Sequence, residues 1–132
     1  MIDCVEEESE IKDALQNPAL ARQFLVPGLS FTVIEGGYTL ASFGIVPIWQ
    51  GRGFLWMIFD KNIGPKRFVS VVRKGELMLK NVMDHAFHRV EAYVQKDYEN
   101  GKRLADLFHF KKEGEMKKFI GGKDYTLYAR TE

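Results

Sequence analysis

The chain has 132 residues, of which 45% are hydrophobic, and its 19 basic and 18 acidic side chains leave a net charge of +1. This length and composition predict a single domain over residues 1–132 with its own core. A nearly neutral chain has no long-range field that attracts a polyanion, which argues against dedicated nucleic-acid binding. The longest uninterrupted apolar run, Phe54 to Phe59, is far shorter than the roughly 20 residues that cross a bilayer, so no membrane span is predicted.

The N-terminal sequence is acidic where an export signal is basic and then apolar, and this predicts a cytoplasmic protein. The chain contains one cysteine, Cys4, which cannot form an internal disulfide or a thiolate metal cage. Its acidic neighbours Asp3 and Glu6 disfavour the reactive thiolate form. A buried structural thiol is therefore favoured over a nucleophile.

The predicted elements begin with a short alternating strand, Ile2 to Val5, and with two helices over residues 6–16 and 18–24. From residue 30 the apolar period changes to two, and Gly36-Gly37 between two such runs predicts an antiparallel hairpin. A turn over residues 50–53 then leads into the run from Phe54 to Phe59. This run is apolar at every position, which predicts a central strand covered on both faces.

Gly64-Pro65 opens the longest helical pattern, in which apolar residues recur at steps of three and four from Phe68 to Met83. A strand over residues 89–94 and a helix over residues 99–108 follow, giving a strand-helix-strand-helix crossover. Gly121-Gly122 separates the last two strand-like runs and predicts a final hairpin. The predicted fold class is therefore α+β, with a mixed sheet of about seven strands.

The order strand, helix, helix, three antiparallel strands, long helix, strand, helix and two strands resembles the GNAT (Gcn-related N-acetyltransferase) fold along the whole chain. The resemblance is strongest from Asn100 to Phe110, where an asparagine opens the family's last helix and a phenylalanine follows it. The stretches from Met116 to Phe119 and from Asp124 to Arg130 are similar to small GNAT-like proteins of tailed phages, a group that includes internal virion proteins.

The resemblance implies acetyl-CoA or CoA as the ligand, with the acyl thioester held between two strands that splay apart, here the strands at residues 54–59 and 89–94. The main chain of Ile58 and Phe59 then polarises the thioester. Amides at the start of the long helix hold the pyrophosphate, because unpaired N–H groups and the helix dipole attract an anion. The other residues to which the resemblance assigns ligand binding are Lys61, Asn62, Ile63, Gly64, Lys66, Arg67 and Asn100.

The turn before the long helix departs from the family pattern Gln/Arg-x-x-Gly-x-Gly/Ala. Only Gly64 matches one of the two glycines, and Pro65 lacks an amide donor. A helix started by proline, with solvated basic residues around it, explains the same turn. The segment Gln50-Gly51-Arg52-Gly53 has suitable residue types for a phosphate loop, but it precedes a strand and is interpreted as a turn.

Acyl transfer to an amine needs a base for the amine's proton and a proton donor for the leaving thiolate. Asp60, at the end of the central strand, and Glu35, on the first hairpin, are candidate bases, and each is alternatively a surface acid. Ala105 stands where many family members carry a tyrosine, and His109 replaces the glycine of the closing Gly-Phe. Tyr98 is therefore the candidate acid, with a capping or packing role as the alternative.

Two histidines at the end of the long helix, His85 and His88, are too few for a typical metal site and offset the helix dipole instead, so no metal is predicted. His109, between two phenylalanines, is interpreted as a partly buried core or rim residue. The lysines at positions 111–112 and 117–118 are interpreted as a solvated strand face that also protects a sheet edge.

Two hypotheses of different classes follow. The first is an acetyl-CoA-dependent N-acetyltransferase that acts on an unidentified amine. The second is a phage or prophage protein that keeps the fold without the chemistry, in the host cytoplasm or the virion, as a virion component or a binder of a host or phage protein. Under either hypothesis, an edge strand such as the C-terminal one could pair with a second copy and give a homodimer.

Overall fold

The computed structural model describes the main chain of residues 2–5 and all of residues 29–60 and 62–131. Its elements in chain order are β1 (Ile2–Val5), β2 (Ser30–Glu35), β3 (Tyr38–Trp49), β4 (Arg52–Asp60), α1 (Pro65–His85), β5 (Arg89–Gln95), α2 (Glu99–Leu107), β6 (Lys111–Ile120) and β7 (Lys123–Thr131). These elements confirm every predicted strand and the two predicted helices after residue 60. The two helices predicted between residues 6 and 24, and the environment of the Cys4 thiol, lie outside what is described.

The strands form one seven-stranded mixed sheet, in which six strands follow the order β2-β3-β4-β5-β7-β6. β4 and β5 are parallel, whereas the other neighbours in this order are antiparallel. β1 is the seventh strand and pairs with β4 in parallel. The arrangement confirms the predicted α+β class with its mixed sheet.

Glycine pairs make the two predicted hairpin turns. Gly36 and Gly37 have φ angles of 59° and 81°, and Gly121 and Gly122 have φ angles of 60° and 74°. Two successive residues with positive φ are what the favoured two-residue hairpin turn requires, and glycine adopts them without strain. Gln50 and Gly51 form the turn between β3 and β4, as their position before a strand predicts.

The C-terminal strand is not an edge strand, so that part of the dimer prediction is wrong. β7 lies between β5 and β6 and pairs antiparallel with both. The final hairpin joins the sheet through its second strand, which leaves β6 and β2 at the two ends of the six-strand order. The four lysines of β6 are exposed on this edge, in agreement with their predicted protective position.

Both helices pack on one face of the sheet. Alternate residues of a strand point to opposite faces, so every second residue of β4 and β5 points to this face. α1 buries Val71, Gly75, Met78, Leu79, Val82 and Met83. The residues of β4 and β5 in the same core cluster are Leu55, Met57, Phe59, Val90, Ala92 and Val94. Their neighbours along β4 and β5, such as Arg52 and Glu91, point to the opposite face of the sheet.

α1 approaches the end of α2 closely at one glycine. A Cβ atom built on Gly75 would lie 2.8 Å from Cζ of Phe108, whose side chain is fully buried. Real Cβ atoms essentially never come so close to another heavy atom. The absence of a side chain at position 75 therefore makes room for the phenylalanine ring.

α2 ends in a Schellman motif. The N–H of Phe110 donates to the Ala105 carbonyl at 3.0 Å, and the N–H of His109 donates to the Asp106 carbonyl at 3.0 Å. His109 has a φ of 62°, the left-handed conformation for which glycine is preferred at this position. The chain reverses here, so Phe108 and Phe110 enter the core while His109 is exposed. The prediction of a partly buried histidine is therefore wrong.

Candidate functional site

β4 and β5 pair with each other over only part of their length. Four residue pairs join them, from Arg52 opposite Arg89 to Leu55 opposite Ala92. Beyond Leu55 and Ala92, which we call the vertex, both strands continue without a shared ladder. A gap therefore separates the second half of β4 from β5, at the place where the resemblance implies one.

β1 lies in this gap. A strand has two edges, and β4 pairs with β3 along one of them as far as Phe59. β1 pairs with the other edge, with Ile2 opposite Met57 and Val5 opposite Asp60, and it also adjoins β5. It therefore pairs with the segment that contains Ile58 and Phe59, the residues whose main chain is predicted to hold the thioester.

Charged side chains hold the two strands together at the paired end. The Glu91 carboxylate is only 3% exposed. It accepts hydrogen bonds from Nε and, at 3.1 Å, Nη2 of Arg52, from Nε of Arg89 at 3.0 Å, and from the Tyr93 hydroxyl at 3.1 Å. Arg89 also forms two hydrogen bonds with the Glu113 carboxylate on β6. These five residues, which we call the vertex cluster, connect β4, β5 and β6.

The vertex cluster favours the charged form of its buried acid. Burial alone opposes ionisation of Glu91, but the hydrogen bonds from the two arginines and Tyr93 outweigh it and lower the pKa of the carboxyl to about 2. Burial and the adjacent carboxylate raise the pKa of Tyr93 to about 12. Hydrogen bonds to Glu113 and Glu91 raise the pKa of the Arg89 guanidinium. At neutral pH the cluster therefore contains two cations, two anions and a neutral phenol.

A cleft of about 360 Å³ opens where β4 leads into α1. Its lining residues are Phe59, Ile63, Gly64, Pro65, Phe68, Asn100, Arg103 and Leu107. Four residues predicted to bind the ligand, Phe59, Ile63, Gly64 and Asn100, thus meet at one place although up to 41 positions separate them. The described lining residues combine aromatic and aliphatic groups with the Asn100 amide and the Arg103 guanidinium.

Gly64 determines how the chain enters α1. It is the N-cap residue, with φ of 79° and ψ of 161°, a conformation essentially restricted to glycine. A Cβ atom at this position would meet nothing within 4 Å, so glycine is required by the backbone conformation and not by a lack of space. The first intrahelical bond runs from the Phe68 N–H to the Gly64 carbonyl at 3.0 Å. The N–H groups of Lys66 and Arg67 precede it at the helix start, whereas Pro65 contributes none.

Asp60 organises the turn between β4 and α1. Its Oδ1 accepts a hydrogen bond from the N–H of Asn62 at 2.9 Å, and its carbonyl accepts one from the N–H of Ile63 at 3.2 Å. Asn62 is exposed and does not line the cleft. Lys61, the remaining turn residue predicted to bind the ligand, lies outside the described residues.

The other predicted site residues lie away from the cleft lining. The side chains of Lys66 and Arg67 are exposed in the first turn of α1. Glu35 is exposed at the end of β2, and β3 separates it from β4. Tyr98 is the N-cap residue of α2 but makes no side-chain cap bond, and a Cβ on Gly101 would lie 2.6 Å from its ring. This contact favours the packing role of Tyr98.

Within the described part of the chain, no group of three or more histidine, cysteine or acidic residues could hold a metal ion. Nδ1 of His85 lies 2.8 Å from the Asn81 carbonyl, within the last turn of α1. His88 packs against Gly51, where a Cβ would come within 2.3 Å of its Nδ1. Among the described helices, none has the length and apolar character to cross a membrane.

Arg103 and the vertex cluster are the site features that the sequence reasoning missed. Arg103 follows Asn100 by three residues on α2, a spacing that places both on one helix face. Glu91 follows the alternation of β5, because it lies between the buried residues Val90 and Ala92 and points to the opposite face of the sheet. The pattern alone predicts a solvent-facing acid there, so the sequence gives no local signal for its burial.

No known family profile matches the sequence, and no curated protein matches it. Solved structures do match. A GNAT-family acetyltransferase from Bacillus anthracis has 19% identity, covering 86% of this chain and 70% of that chain, with a TM-score of 0.65. An acetyltransferase from Salmonella typhimurium that modifies the N-terminal serine of ribosomal protein L7/L12 has 17% identity, 94% and 74% coverage, and a TM-score of 0.67. RimL, a ribosomal L7/L12 alpha-N-protein acetyltransferase in complex with coenzyme A, has 18% identity, 96% and 74% coverage, and a TM-score of 0.65.

These similarities show that the chain has the fold of GNAT acetyltransferases, as the order of its elements predicts. At identities below 20% they show the fold alone.

Proposed function

We propose that this protein is an acetyl-CoA-dependent N-acetyltransferase that transfers an acetyl group to an unidentified amine. The observation that supports this most directly is the cleft at the start of α1, at the end of the β4–β5 gap. Phe59, Gly64 and Asn100 meet there, on three separate segments of the chain. The similar fold of RimL, which is known in complex with coenzyme A, supports the same class of ligand.

The cleft lining fits the chemistry of coenzyme A. Phe59, Phe68 and Leu107 provide apolar surface for the uncharged parts of the ligand. Arg103 and the amides at the start of α1 provide cationic and N–H groups for the pyrophosphate. The bound ligand would supply an activated acetyl thioester in the gap.

Acyl transfer forms an amide bond between the amine nitrogen and the acetyl carbon while the thioester C–S bond breaks. The amine loses a proton, and the thiolate leaves. Asp60 is the candidate base that lies beside the gap, at the end of β4. Ala105 is fully buried at the place of the family's tyrosine, so no hydroxyl group acts there. Holding the amine next to the thioester then supplies much of the acceleration, and we expect slow turnover.

Isothermal titration with acetyl-CoA tests the proposal. Replacement of Gly64 by valine forces a β-branched residue into a positive-φ conformation at the cleft, and we expect binding to weaken about tenfold or more. Gly37→Val is the matched control, because Gly37 has a φ of 81°, also has no heavy atom within 4 Å of a built Cβ, and lies in the β2–β3 turn. Equal weakening by both variants would contradict a specific role of the Gly64 turn.

A protein that keeps the fold without catalysis is the second candidate, and the position of β1 favours it. β1 pairs with the edge of β4 where the thioester is expected, and Ala105 provides no acid. Such a protein would act as a virion component or as a binder of a host or phage protein. The absence of acetyl-CoA binding in folded wild-type protein, and in a variant whose β1 no longer pairs, would favour this candidate over the enzyme.

A further inference from the structure

We propose that β1 is an internal competitor of acetyl-CoA for the gap-facing edge of β4. This inference rests on the proposed function, because it concerns access to the same site. The site is closed while β1 is paired and opens when β1 leaves. The N-terminal strand therefore regulates ligand binding.

The argument begins with the main-chain groups of Met57–Asp60. One edge of this segment is paired with β3, which runs antiparallel to it up to Phe59. The other edge is paired with β1 at four positions, from Ile2 opposite Met57 to Val5 opposite Asp60. Each backbone N–H has one hydrogen to donate. A ligand that pairs with the gap-facing edge and a paired β1 therefore exclude each other.

β1 has less main-chain pairing than the other strands on either side of the gap. It pairs with β4 alone among the described strands, whereas β4 and β5 each pair with strands on both edges. It contributes four positions to its ladder, against eight for β3 on the same strand. One net main-chain hydrogen bond changes an equilibrium constant by only about two- to tenfold. Because the ladder of β1 has only four positions, a ligand that binds the same edge of β4 can displace it.

The rest of the gap does not depend on β1. The vertex cluster joins Arg52 of β4 to Glu91 of β5 at the opposite end of the strand pair. The described residues that line the cleft at the start of α1 lie between positions 59 and 107, on β4, α1, α2 and the turn between β4 and α1. Release of β1 therefore uncovers the edge of β4 while the frame of the site remains in place.

A variant that weakens β1 tests the inference in the full-length chain. The substitutions Ile2→Gly, Asp3→Ser, Cys4→Gly and Val5→Ser keep the length of the segment and remove its strand-forming side chains. We expect this variant to bind acetyl-CoA about tenfold or more tightly than wild type in isothermal titration, because less of the protein is in the closed form. The matched control, Ile2→Val with Val5→Ile, keeps β-branched residues and should bind like wild type.

Hydrogen exchange measured by mass spectrometry tests the inference on wild-type protein and needs no variant. The amides of residues 2–5 should be protected without ligand, and saturating acetyl-CoA should increase their exchange. Residues 57–59 should stay protected, because β3 remains paired with one edge of this segment and the bound ligand occupies the other.

The outcomes separate the two proposals. If wild type binds acetyl-CoA, but the glycine-serine variant binds no more tightly and exchange at residues 2–5 does not increase, competition by β1 is wrong and the proposed function stands. If neither wild type nor the variant binds acetyl-CoA, the proposed function fails, and the competition fails with it.

Discussion

The two halves of the contact between β4 and β5 are built in different ways. At the paired half, the strands share a ladder, and the vertex cluster adds a buried carboxylate with two arginines. In the other half, the four residues from Met57 to Asp60 meet β1 through main-chain pairing instead of β5. Among the described residues, charged side chains join β4 to β5 in the first half, so the exchange of partners that we propose for β4 is confined to the second half.

The largest effect is expected from a substitution that disrupts the vertex cluster in the paired half. Replacement of Glu91 by glutamine removes the charge that both arginines contact in a buried position. We expect the free energy of unfolding at pH 7 to fall by about 2–3 kcal/mol. Urea denaturation measures this change. Glu113→Gln is the control, because Glu113 is 40% exposed and its pair with Arg89 should contribute less than about 1 kcal/mol.

Acidic pH should reduce the stability that Glu91 contributes to the paired half. The pKa of Glu91 falls from 4.5 to about 2 on folding. A carboxyl group with a lowered pKa in the folded state stabilises the protein above its unfolded pKa, and this contribution is lost as the pH falls through the folded value. We expect wild-type stability to decline between pH 4.5 and pH 2. Glu91→Gln should decline less over the same range, and parallel melting-temperature curves for the two proteins would contradict the assignment.

The other half, which borders the gap, is better tested by ligand binding than by the free energy of unfolding. Replacement of Arg103 by alanine removes the guanidinium that lines the cleft, and we expect acetyl-CoA affinity to fall about five- to tenfold. Arg73→Ala is the control, because Arg73 is exposed on α1 and does not line the cleft. Calorimetric titration distinguishes the two variants, and equal losses would indicate a general effect of net charge.

The smallest effect is expected from the removal of the Tyr93 hydroxyl group. Tyr93→Phe removes the hydrogen bond to Glu91 and keeps the ring contacts with Phe54 and Phe119, whose centroids lie 5.5 and 5.1 Å away. We expect a loss of about 1 kcal/mol in the free energy of unfolding. In wild type the pKa of Tyr93 is raised from 10.0 to about 12, so its contribution is complete below pH 10 and is lost as the pH rises to 12. Stability measured against alkaline pH should show this difference.

Local patterns predicted the elements of this fold well, because each pattern depends on neighbouring residues. Gly36-Gly37 and Gly121-Gly122 specify hairpins through their own φ angles. The apolar spacing after Pro65 specifies a helix through its own period. The resemblance also predicted that Gly64 and Asn100 share a site, and both line the cleft.

The sequence did not predict features that depend on distant partners. Glu91 and Arg52 are 39 positions apart, and Arg89 and Glu113 are 24 positions apart, so the vertex cluster follows from sheet order and not from spacing. The alternation of β1 predicts a strand but carries no information about the edge that the strand joins. The exposure of His109 was missed because its two phenylalanine neighbours suggested burial, whereas the left-handed conformation turns the imidazole to solvent.

Gly75 limits how this domain can be engineered for heat resistance. A glycine inside a helix costs about 1 kcal/mol relative to alanine, and replacing it is a common route to a higher melting temperature. At this position the new methyl group would lie 2.8 Å from the Phe108 ring, so the gain in helix propensity would be offset by a shift of α1 away from the end of α2. In a library that replaces each residue of α1 in turn, Gly75 should therefore tolerate the fewest substitutions.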